Sequence, residues 1–331
     1  MATTTTTTTT TTTKTLFLTG GSGYIGSALI PLALSRNYTI RALSRTPQSD
    51  TKLLSLGVTP VRGDLTSLST LRTESASATA VIHLATAFVF GQTPSYASIK
   101  DIDTAALDAI VSGLSSTPNP DGTPKPLVTT SGTLLVRPNA DGSETDEFSP
   151  LDTHPLVSRN EITAHGLALG EKSNGRVRVM DIRLAPFVYG RGGSGIRLFM
   201  QMAKHAGKIV TVGGGVNRTT TVHVDDAAEL FLLAVEKGVQ GGVYNAGDKT
   251  GVTVGEILGA VAEIMHVPVE DLGLEEAKEK LGDVVAGFLA AENRASGDRA
   301  RRELGWVCRE EGVLEDIKGE RGSYRGVVGE L

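Results

Sequence analysis

Short apolar runs recur along the first half of the chain, separated by stretches whose hydrophobic residues have helical spacing. Six runs are short and apolar enough to be buried strands: residues 15–19, 38–43, 58–61, 80–85, 127–131 and a run within 176–184. Between them, residues 24–36 and 97–114 carry apolar positions three and four apart, which predicts helices. Strands that alternate with helices predict an α/β fold with a doubly wound parallel sheet.

The pattern changes after about residue 190. We predict helices at 196–206, 225–237, 252–264 and 274–291 and a strand at 219–224, whereas residues beyond 306 are charged and weakly patterned. The expected first domain comprises residues 14–190 plus about 219–247, and the expected smaller region comprises about 191–218 and 248–331. The threonine run near the start has no hydrophobic period, so residues 1–13 are expected to be a disordered tail. Pro31 lies inside the first predicted helix, where a kink is expected.

The first predicted strand runs into a glycine-rich turn that opens a helix. Gly20, Gly23 and Gly26 follow one another at intervals of three residues. Gly20 permits a tight turn, Gly23 lets a pyrophosphate approach the backbone, and Gly26 lets helix and strand pack closely. The N–H groups at a helix N-terminus attract the same anion. A glycine turn without special function is the alternative, but the position between a strand and a helix favours dinucleotide binding.

The end of the second predicted strand bears on the choice of dinucleotide. NAD sites usually place an acidic residue there for the ribose 2′-hydroxyl, whereas NADP sites place an arginine near the 2′-phosphate. Here the strand is followed by Ser44 and Arg45. We expect Arg45 to bind the 2′-phosphate with Ser44 as an auxiliary donor, and NADP(H) to be favoured over NAD(H). A solvated surface arginine is the alternative.

Composition and charge narrow the range of partners. The chain has 331 residues, of which 40% are hydrophobic and 21% charged, as in ordinary globular proteins. The formal net charge of −5 argues against nucleic acid or an anionic membrane as partner. A single cysteine, Cys308, supplies neither a disulfide framework nor a thiolate metal site. We expect a soluble, cytoplasmic protein that binds a small molecule, and a homodimer is left open.

Several dispersed segments together resemble one family. Residues 19–26, 63–65, 83–86, 129–133, 183–190, 221–228 and 302–306 are similar, in this order, to segments of the short-chain dehydrogenase/reductases, in their extended or atypical branch of NAD-dependent epimerase/dehydratase-like proteins. The resemblance implies a Rossmann-type sheet that binds the dinucleotide and a smaller substrate-binding region. Together with the turn and the strand end, it gives the expected cofactor-binding residues: Gly20, Ser22, Gly23, Tyr24, Ile25, Gly26, Ser44, Arg45, Asp64, Leu65, Leu84, Ala85, Thr86, Pro186 and Val188.

The family's usual catalytic motif is missing. Members normally carry Tyr-x-x-x-Lys after the serine strand, where lysine lowers the pKa of the tyrosine that exchanges a proton with the substrate. Counting forward from Ser131 places Val157 and Glu161 at these positions. Ser131 and Thr133 are therefore the candidates to polarise a substrate carbonyl, with another donor or water for the proton. A strand-end serine that only satisfies backbone groups is the alternative.

Two groups of polar residues carry further hypotheses. Glu161 and His165 are spaced i, i+4, so a carboxylate beside the imidazole could raise the pKa of the histidine and tune it as a proton donor. A solvated helix face is the alternative. His223 with Asp225 and Asp226 has the residue types of a metal site, but the spacing fits a strand turning into a helix whose N-terminus favours carboxylates. We predict no metal.

The sequence gives fewer indications of the substrate-binding residues than of the cofactor-binding residues. Phe88 and Phe187 are candidates to line an apolar cleft, with core packing as the alternative, and Arg197 and Arg218 are candidates because family members with sugar-nucleotide substrates often place arginines here. The apolar run 87–90 favours a substrate without a nucleotide.

We therefore expect an NADP(H)-dependent oxidoreductase of atypical short-chain type that acts on a small, fairly hydrophobic carbonyl or alcohol. Two alternatives stay open. One is a non-redox isomerase, dehydratase or cyclase that retains a bound dinucleotide, and the other is a dinucleotide-sensing protein without catalysis.

Overall fold

A seven-stranded sheet forms the centre of the structure, a computed structural model that describes residues 14–88, 97–119, 121–153 and 159–331. Its strands, numbered in chain order, are β1 (Lys14–Thr19), β2 (Tyr38–Ser44), β3 (Thr59–Arg62), β4 (Ala80–His83), β5 (Lys125–Gly132), β6 (Val177–Leu184) and β10 (Val243–Ala246). They lie in the order β3-β2-β1-β4-β5-β6-β10, and all neighbours are parallel. The predicted Rossmann-type, doubly wound parallel sheet is confirmed.

Helices cover both faces of this sheet. They are α1 (Tyr24–Ser35), α2 (Pro47–Ser55), α3 (Leu68–Ser77), α4 (Lys100–Ser116), α5 (Asn160–Lys172) and α7 (Val224–Lys237). Successive strand residues point to opposite faces. Leu16 and Ile82 therefore pack with α1 and α7, whereas Phe17, Val81 and Leu127 pack with α3, α4 and α5. Burial on both faces explains why these strands are continuous apolar runs in the sequence.

A second hydrophobic core lies in the later part of the chain. Its strands are β7 (Phe187–Tyr189), β8 (Ile209–Val212), β11 (Lys249–Thr253) and β12 (Val269–Leu272), and its helices are α6 (Ser194–Ala206), α8 (Val254–Met265), α9 (Leu274–Leu281), α10 (Asp283–Ala290), α12 (Val313–Lys318) and α13 (Arg325–Glu330). The neighbouring strand β9 (Arg218–His223) contributes Val222 to the first core. β9 pairs with β7 and β11, and β8 pairs with β12. The remaining helix, α11 (Asp298–Leu304), packs against the first core. In the described ranges, no helix is both long and apolar enough to cross a bilayer.

The structure differs from the sequence-based expectations in several places. Of the two strands within residues 219–247, only β10 joins the large sheet, because β9 pairs with β7 and β11 instead. The single helix expected at 274–291 is two helices, since Gly282 has a φ of +82° and ends α9. α1 runs through Pro31, whose ring lies on the exposed side, where water can satisfy the carbonyl that lacks a helical donor. The weakly patterned end of the chain forms α12 and α13.

Gly26 sets how closely α1 approaches the turn after β1. A Cβ at this position would stand 2.3 Å from the carbonyl oxygen of Gly20 and 2.7 Å from the Cα of Gly21. We therefore expect Gly26→Ala to lower the free energy of unfolding by about 1–3 kcal/mol, the usual cost of overpacking. Urea denaturation measures the change.

Gly259→Ala in α8 is the matched control, because nothing lies within 4 Å of a Cβ at that position. Alanine has the better helix propensity by about 1 kcal/mol, so this variant should be neutral or more stable. Equal destabilisation of the two variants would contradict the close contact at Gly26.

Candidate functional site

The carboxyl ends of the parallel strands meet along one edge of the large sheet. The segments that follow β1, β2, β3, β4 and β6 contain the cofactor-binding residues expected from the sequence, so the fold brings those segments to this edge. The strand order reverses at β1, which has β2 on one side and β4 on the other. Open α/β sheets bind ligands in the crevice at such a reversal.

The turn after β1 has the geometry of an anion-binding loop. Gly20 has a φ of +76°, and the N–H of Gly23 donates to the Gly20 carbonyl oxygen over 3.0 Å. Gly23 is exposed and forms the N-cap of α1, where no side chain caps the helix. The first N–H groups of α1 are thus left for a ligand, and they fit the diphosphate of a dinucleotide.

Cationic side chains stand near this turn. Arg45 is exposed directly after β2 and forms no ion pair within the part of the chain that the structure describes. Lys52 of α2 donates to the carbonyl oxygen of Ser22 over 2.8 Å, a contact that no sequence motif indicated. Ser44 is buried, and its hydroxyl donates to the Thr46 carbonyl oxygen (3.3 Å), which differs from the auxiliary role expected for it.

The segment after β3 is shaped by the Asp64 carboxylate. One of its oxygens accepts hydrogen bonds from the backbone N–H (2.8 Å) and the hydroxyl (2.7 Å) of Thr66. These bonds to the charged form hold the pKa of Asp64 below its usual value. Leu65 next to it is buried in the core. The turn is therefore fixed before any ligand binds.

The segment after β4 is fixed by Asp103 of α4, a residue that the sequence analysis did not identify. Its carboxylate is 1% exposed and accepts hydrogen bonds from the Thr86 hydroxyl (2.7 Å) and the Ala87 N–H (2.9 Å). Arg159, before α5, lies 4.0 Å from the same carboxylate. Asp103 thereby holds the segment after β4, which the sequence predicts to line the cofactor, against α4. Leu84 and Ala85, which precede Thr86, are half-buried.

Ser131 lies at the carboxyl end of β5 and is hydrogen-bonded to a carboxylate. Its hydroxyl donates to Oδ2 of Asp181 on β6, and the Thr129 hydroxyl donates to Oδ1 of the same residue over 2.7 Å. Ser131 is 5% exposed, and Asp181 is completely buried. The sequence analysis did not identify Asp181, although an acidic residue inside the apolar run of the sixth strand could have indicated a polar site there.

Thr133 does not have the polarising position expected for it. Its side chain is completely buried, and its hydroxyl donates to Oδ1 of Asn293 over 3.0 Å. Asn293 in turn donates its backbone N–H to the Arg218 carbonyl oxygen. Thr133 therefore ties the end of β5 to the late part of the chain.

The expected interaction between Glu161 and His165 is wrong. Glu161 pairs with Lys100, and Nε2 of His165 lies 2.9 Å from Oδ1 of Asp108. Lys100 and Asp108 both belong to α4, so each α5 side chain is bound across the two helices. The side chains of Glu161 and His165 are 62% and 36% exposed. Val157, at the position of the family's tyrosine, lies outside the described residues.

Other histidines have structural environments. His83 bonds to the Thr19 hydroxyl (2.8 Å), and burial lowers the pKa of His83 to about 3, so its ring is neutral near pH 7. The His223 ring accepts the N–H of Asp225 (3.2 Å) and caps α7. Ligand atoms of His223, Asp225 and Glu310 lie within 4.8 Å of one another, but Arg191 already pairs with Asp225 over 2.7 Å.

The expected substrate residues do not form one cluster. Phe187 is buried in the second core against Phe199 and Phe288, as the packing alternative holds, and Val188 after it packs into the first core. Phe88 and Pro186 are half-buried. Arg197 pairs with Glu330 over 3.0 Å, near the end of the chain.

Arg218 lines an open groove of about 780 Å³. Residues from four stretches of the chain line this groove, among them Pro138, Val212, Asn217, Leu274 and Ala290. The Arg218 guanidinium is paired with Glu292 over 2.8 Å. The charge of the arginine in this groove is thus already matched by a carboxylate.

Tyr24 connects the turn after β1 to the loop after β7. Its hydroxyl donates to the Gly190 carbonyl oxygen over 2.8 Å, and burial raises its pKa. The Tyr324 hydroxyl accepts the Gly190 N–H and donates to the Gly193 carbonyl oxygen, both over 2.9 Å. Two tyrosines far apart in sequence therefore hold one loop.

Replacing Asp103 should loosen the segment after β4. Asp103→Ala leaves the Thr86 hydroxyl and the Ala87 N–H without their acceptor, and we expect it to lower the free energy of unfolding by about 1–3 kcal/mol. Dinucleotide affinity, measured by calorimetry, should fall as well. Asp101→Ala is the control, since Asp101 is exposed in the first turn of the same helix. If Asp101→Ala lowers the free energy of unfolding as much as Asp103→Ala does, the specific role of the two hydrogen bonds is refuted.

Comparisons with known proteins show the family of this chain. The model of the NAD dependent epimerase/dehydratase family matches residues 16–247. An uncharacterized protein of Saccharomyces cerevisiae is 32% identical over 306 residues, which cover 92% of this chain and 97% of that protein. A quinoline-oxide ketoreductase of Stigmatella aurantiaca is 26% identical over 316 residues, covering 88% and 92%.

Among solved structures, the human epimerase family protein crystallised with NADPH superposes with a TM-score of 0.72 at 19% identity, covering 93% of this chain and 99% of that one. This likeness concerns the fold. The sequence matches and the arrangement of the sheet edge together place the chain in the NAD-dependent epimerase/dehydratase family of the short-chain dehydrogenase/reductases.

Proposed function

We propose that the protein is an NADP(H)-dependent oxidoreductase of atypical short-chain type that acts on a small, fairly hydrophobic carbonyl or alcohol. The observation that carries the proposal is the placement of the Ser131 hydroxyl, at the end of β5, on the same sheet edge as the uncapped glycine turn after β1. Along this edge a dinucleotide can lie with its diphosphate on the turn and its nicotinamide toward β5.

Different residues of the chain would bind the dinucleotide and the substrate. The N–H groups of the α1 N-terminus bind the diphosphate, and Arg45 binds the 2′-phosphate. When bound, the nicotinamide supplies or accepts the hydride. Ser131 holds the substrate oxygen beside it. Asp103 keeps the segment 84–88 in place, so that the dinucleotide meets a preformed surface.

The arginines argue for a substrate without a nucleotide. Arg218 and Arg197 are paired with Glu292 and Glu330, so both guanidinium charges are already matched within the protein. Recognition of a nucleoside diphosphate favours unpaired, bidentate arginines. The name of the ketoreductase relative also fits a carbonyl substrate.

A non-redox isomerase or lyase is the second candidate, because one observation favours it. Glu161, at the family's lysine position, is exposed and bound to Lys100, so it supplies no cation to a dinucleotide ribose or to a tyrosine. The tests below separate the two candidates.

The dinucleotide preference is tested by binding. Arg45→Ala should weaken the binding of NADPH by about ten- to a hundredfold, the order expected when a charge-assisted hydrogen bond is lost. The affinity for NADH should stay nearly unchanged. Calorimetry with both nucleotides measures the difference. Arg41→Ala is the control, since this arginine on β2 is bound by Glu74 over 2.6 Å. Equal losses for NADPH and NADH would refute the 2′-phosphate contact.

Turnover tests the reaction class. The protein with NADPH and a panel of aliphatic and aromatic ketones and aldehydes should consume NADPH with formation of the alcohol, followed by absorbance and product analysis. Rearrangement or water loss without net change of the dinucleotide would favour the second candidate. Binding of the dinucleotide without any turnover would favour a sensing role.

A further inference from the structure

The Asp181 carboxylate occupies a place where a parallel strand normally carries an apolar side chain. It is completely buried on β6, and its two oxygens each accept one side-chain hydrogen bond, from Thr129 and from Ser131. Burial of a carboxylate is costly unless hydrogen bonds or charges compensate. The strand β6 thus holds an ionisable group directly beneath the serine at the sheet edge.

A cation accompanies this carboxylate. Arg183 lies two residues further along β6 and is paired in register with Ser131. It is 7% exposed, and its Nε has no hydrogen-bond partner among the described residues. Burial lowers the pKa of Arg183, while the negative charges of Asp181 and Glu147 oppose that shift. The negative charges of the two carboxylates therefore favour the charged form of Arg183.

The direction of the Ser131 hydrogen bond has a chemical consequence. A serine hydroxyl has one proton, and here that proton is donated to Asp181. Towards the cleft, the Ser131 oxygen can then only accept. This matches an alcohol substrate, which donates its own hydroxyl proton.

We propose that Ser131 and Asp181 form a proton relay that takes the place of the missing tyrosine and lysine. The inference rests on the proposed function and names the proton acceptor for it. Ser131 touches the substrate, whereas Asp181 acts through Ser131 as a positioning and proton-storing residue.

The relay balances protons and electrons with the hydride step. In oxidation, the substrate O–H bond breaks and its proton passes to Oγ of Ser131, while the Ser131 proton passes to the Asp181 carboxylate. With an oxidised dinucleotide bound, the nicotinamide would accept the electron pair of the substrate C–H bond as hydride, and the C=O bond would form. Reduction runs in reverse, with protonated Asp181 returning the proton through Ser131 to the carbonyl oxygen.

The other ionisable groups around this face are less suited to the task. On the strands they are Arg183 and the neutral His83, and the connection after β5 adds Glu147, whose carboxylate accepts the Asn245 N–H over 2.7 Å. From the helix side, Asp103 is bound to Thr86 and Ala87, and Arg159 lies beside it.

Four further ionisable side chains of α4 and α5 pair with each other at the surface rather than with Ser131. Glu161 and His165 are held in surface pairs with Lys100 and Asp108. Asp181 is thus the carboxylate in direct hydrogen-bond contact with Ser131.

The kinetic test uses Asp181→Asn, which keeps the size of the side chain and cannot store the proton. We expect kcat to fall on the order of a hundredfold, as for loss of a general acid or base, with KM near the wild-type value and with the wild-type pH dependence of kcat abolished. In Ser131→Ala, kcat should fall by a similar factor. This variant tests the relay if Asp181→Asn does not fold. The double variant should lose no more than either single one, because the two residues act as one unit.

Two variants control for burial and packing. Glu147→Gln removes a neighbouring buried carboxylate and should keep the wild-type pH dependence of kcat. Thr129→Val removes the second hydrogen bond to Asp181, which favours the charged carboxylate, so the pH dependence of kcat should be retained but displaced to higher pH. A wild-type pH profile in Asp181→Asn, or independent multiplication of the two single effects, overturns the relay while the oxidoreductase function stands. Absence of NADPH or NADH turnover in the wild-type protein overturns the proposed function and the relay with it.

A second readout needs no turnover. Infrared difference spectra between acid and neutral pH, recorded on the protein without added dinucleotide, should contain a carboxylic C=O band that is absent in Asp181→Asn and shifted in frequency in Ser131→Ala. The band should be unchanged in Glu147→Gln. An unshifted Asp181 band in Ser131→Ala overturns the hydrogen bond on which the relay depends.

Discussion

The structure depends on matching buried carboxylates with donors. Asp103 holds the segment after β4, Asp181 binds the hydroxyls near the carboxyl end of β5, and Asp226 of α7 accepts the N–H groups of Arg309 (3.0 Å) and Glu310 (3.3 Å). Burial raises the pKa of Asp226, and these two bonds oppose the shift. Because an unmatched buried carboxylate is costly, each of these residues fixes a segment that would otherwise be free to move.

The sequence predicted the features that depend on local pattern. Continuous apolar runs identify strands buried on both faces, and the glycines after the first run identify the turn, since the close contact between Gly26 and Gly20 tolerates no side chain. The end of β2 could also be located, which places Arg45 at the sheet edge. Helix ends were less accurate, because Gly282 interrupts a stretch whose apolar spacing continues across it.

The side-chain partners could not be read from spacing. Asp181 contacts Ser131 because of the register in which β5 and β6 pair. Thr133 is buried against Asn293, which lies 160 residues later in the sequence. Glu161 and His165 are four residues apart, yet α4 supplies a closer partner for each. Ser131 and Asp181 therefore lie on adjacent strands, and the register of these strands fixes the partner of the Ser131 hydroxyl.

The loop after β7 is held from both ends of the chain, by Tyr24 at the first helix and by Tyr324 just before the last one. This clamp makes the final residues part of the scaffold of the first turn, although some three hundred positions separate them in the sequence. Folding of the turn after β1 is thereby coupled to synthesis of the end of the chain, because a polypeptide that stops before Tyr324 lacks the hydroxyl that accepts the Gly190 N–H.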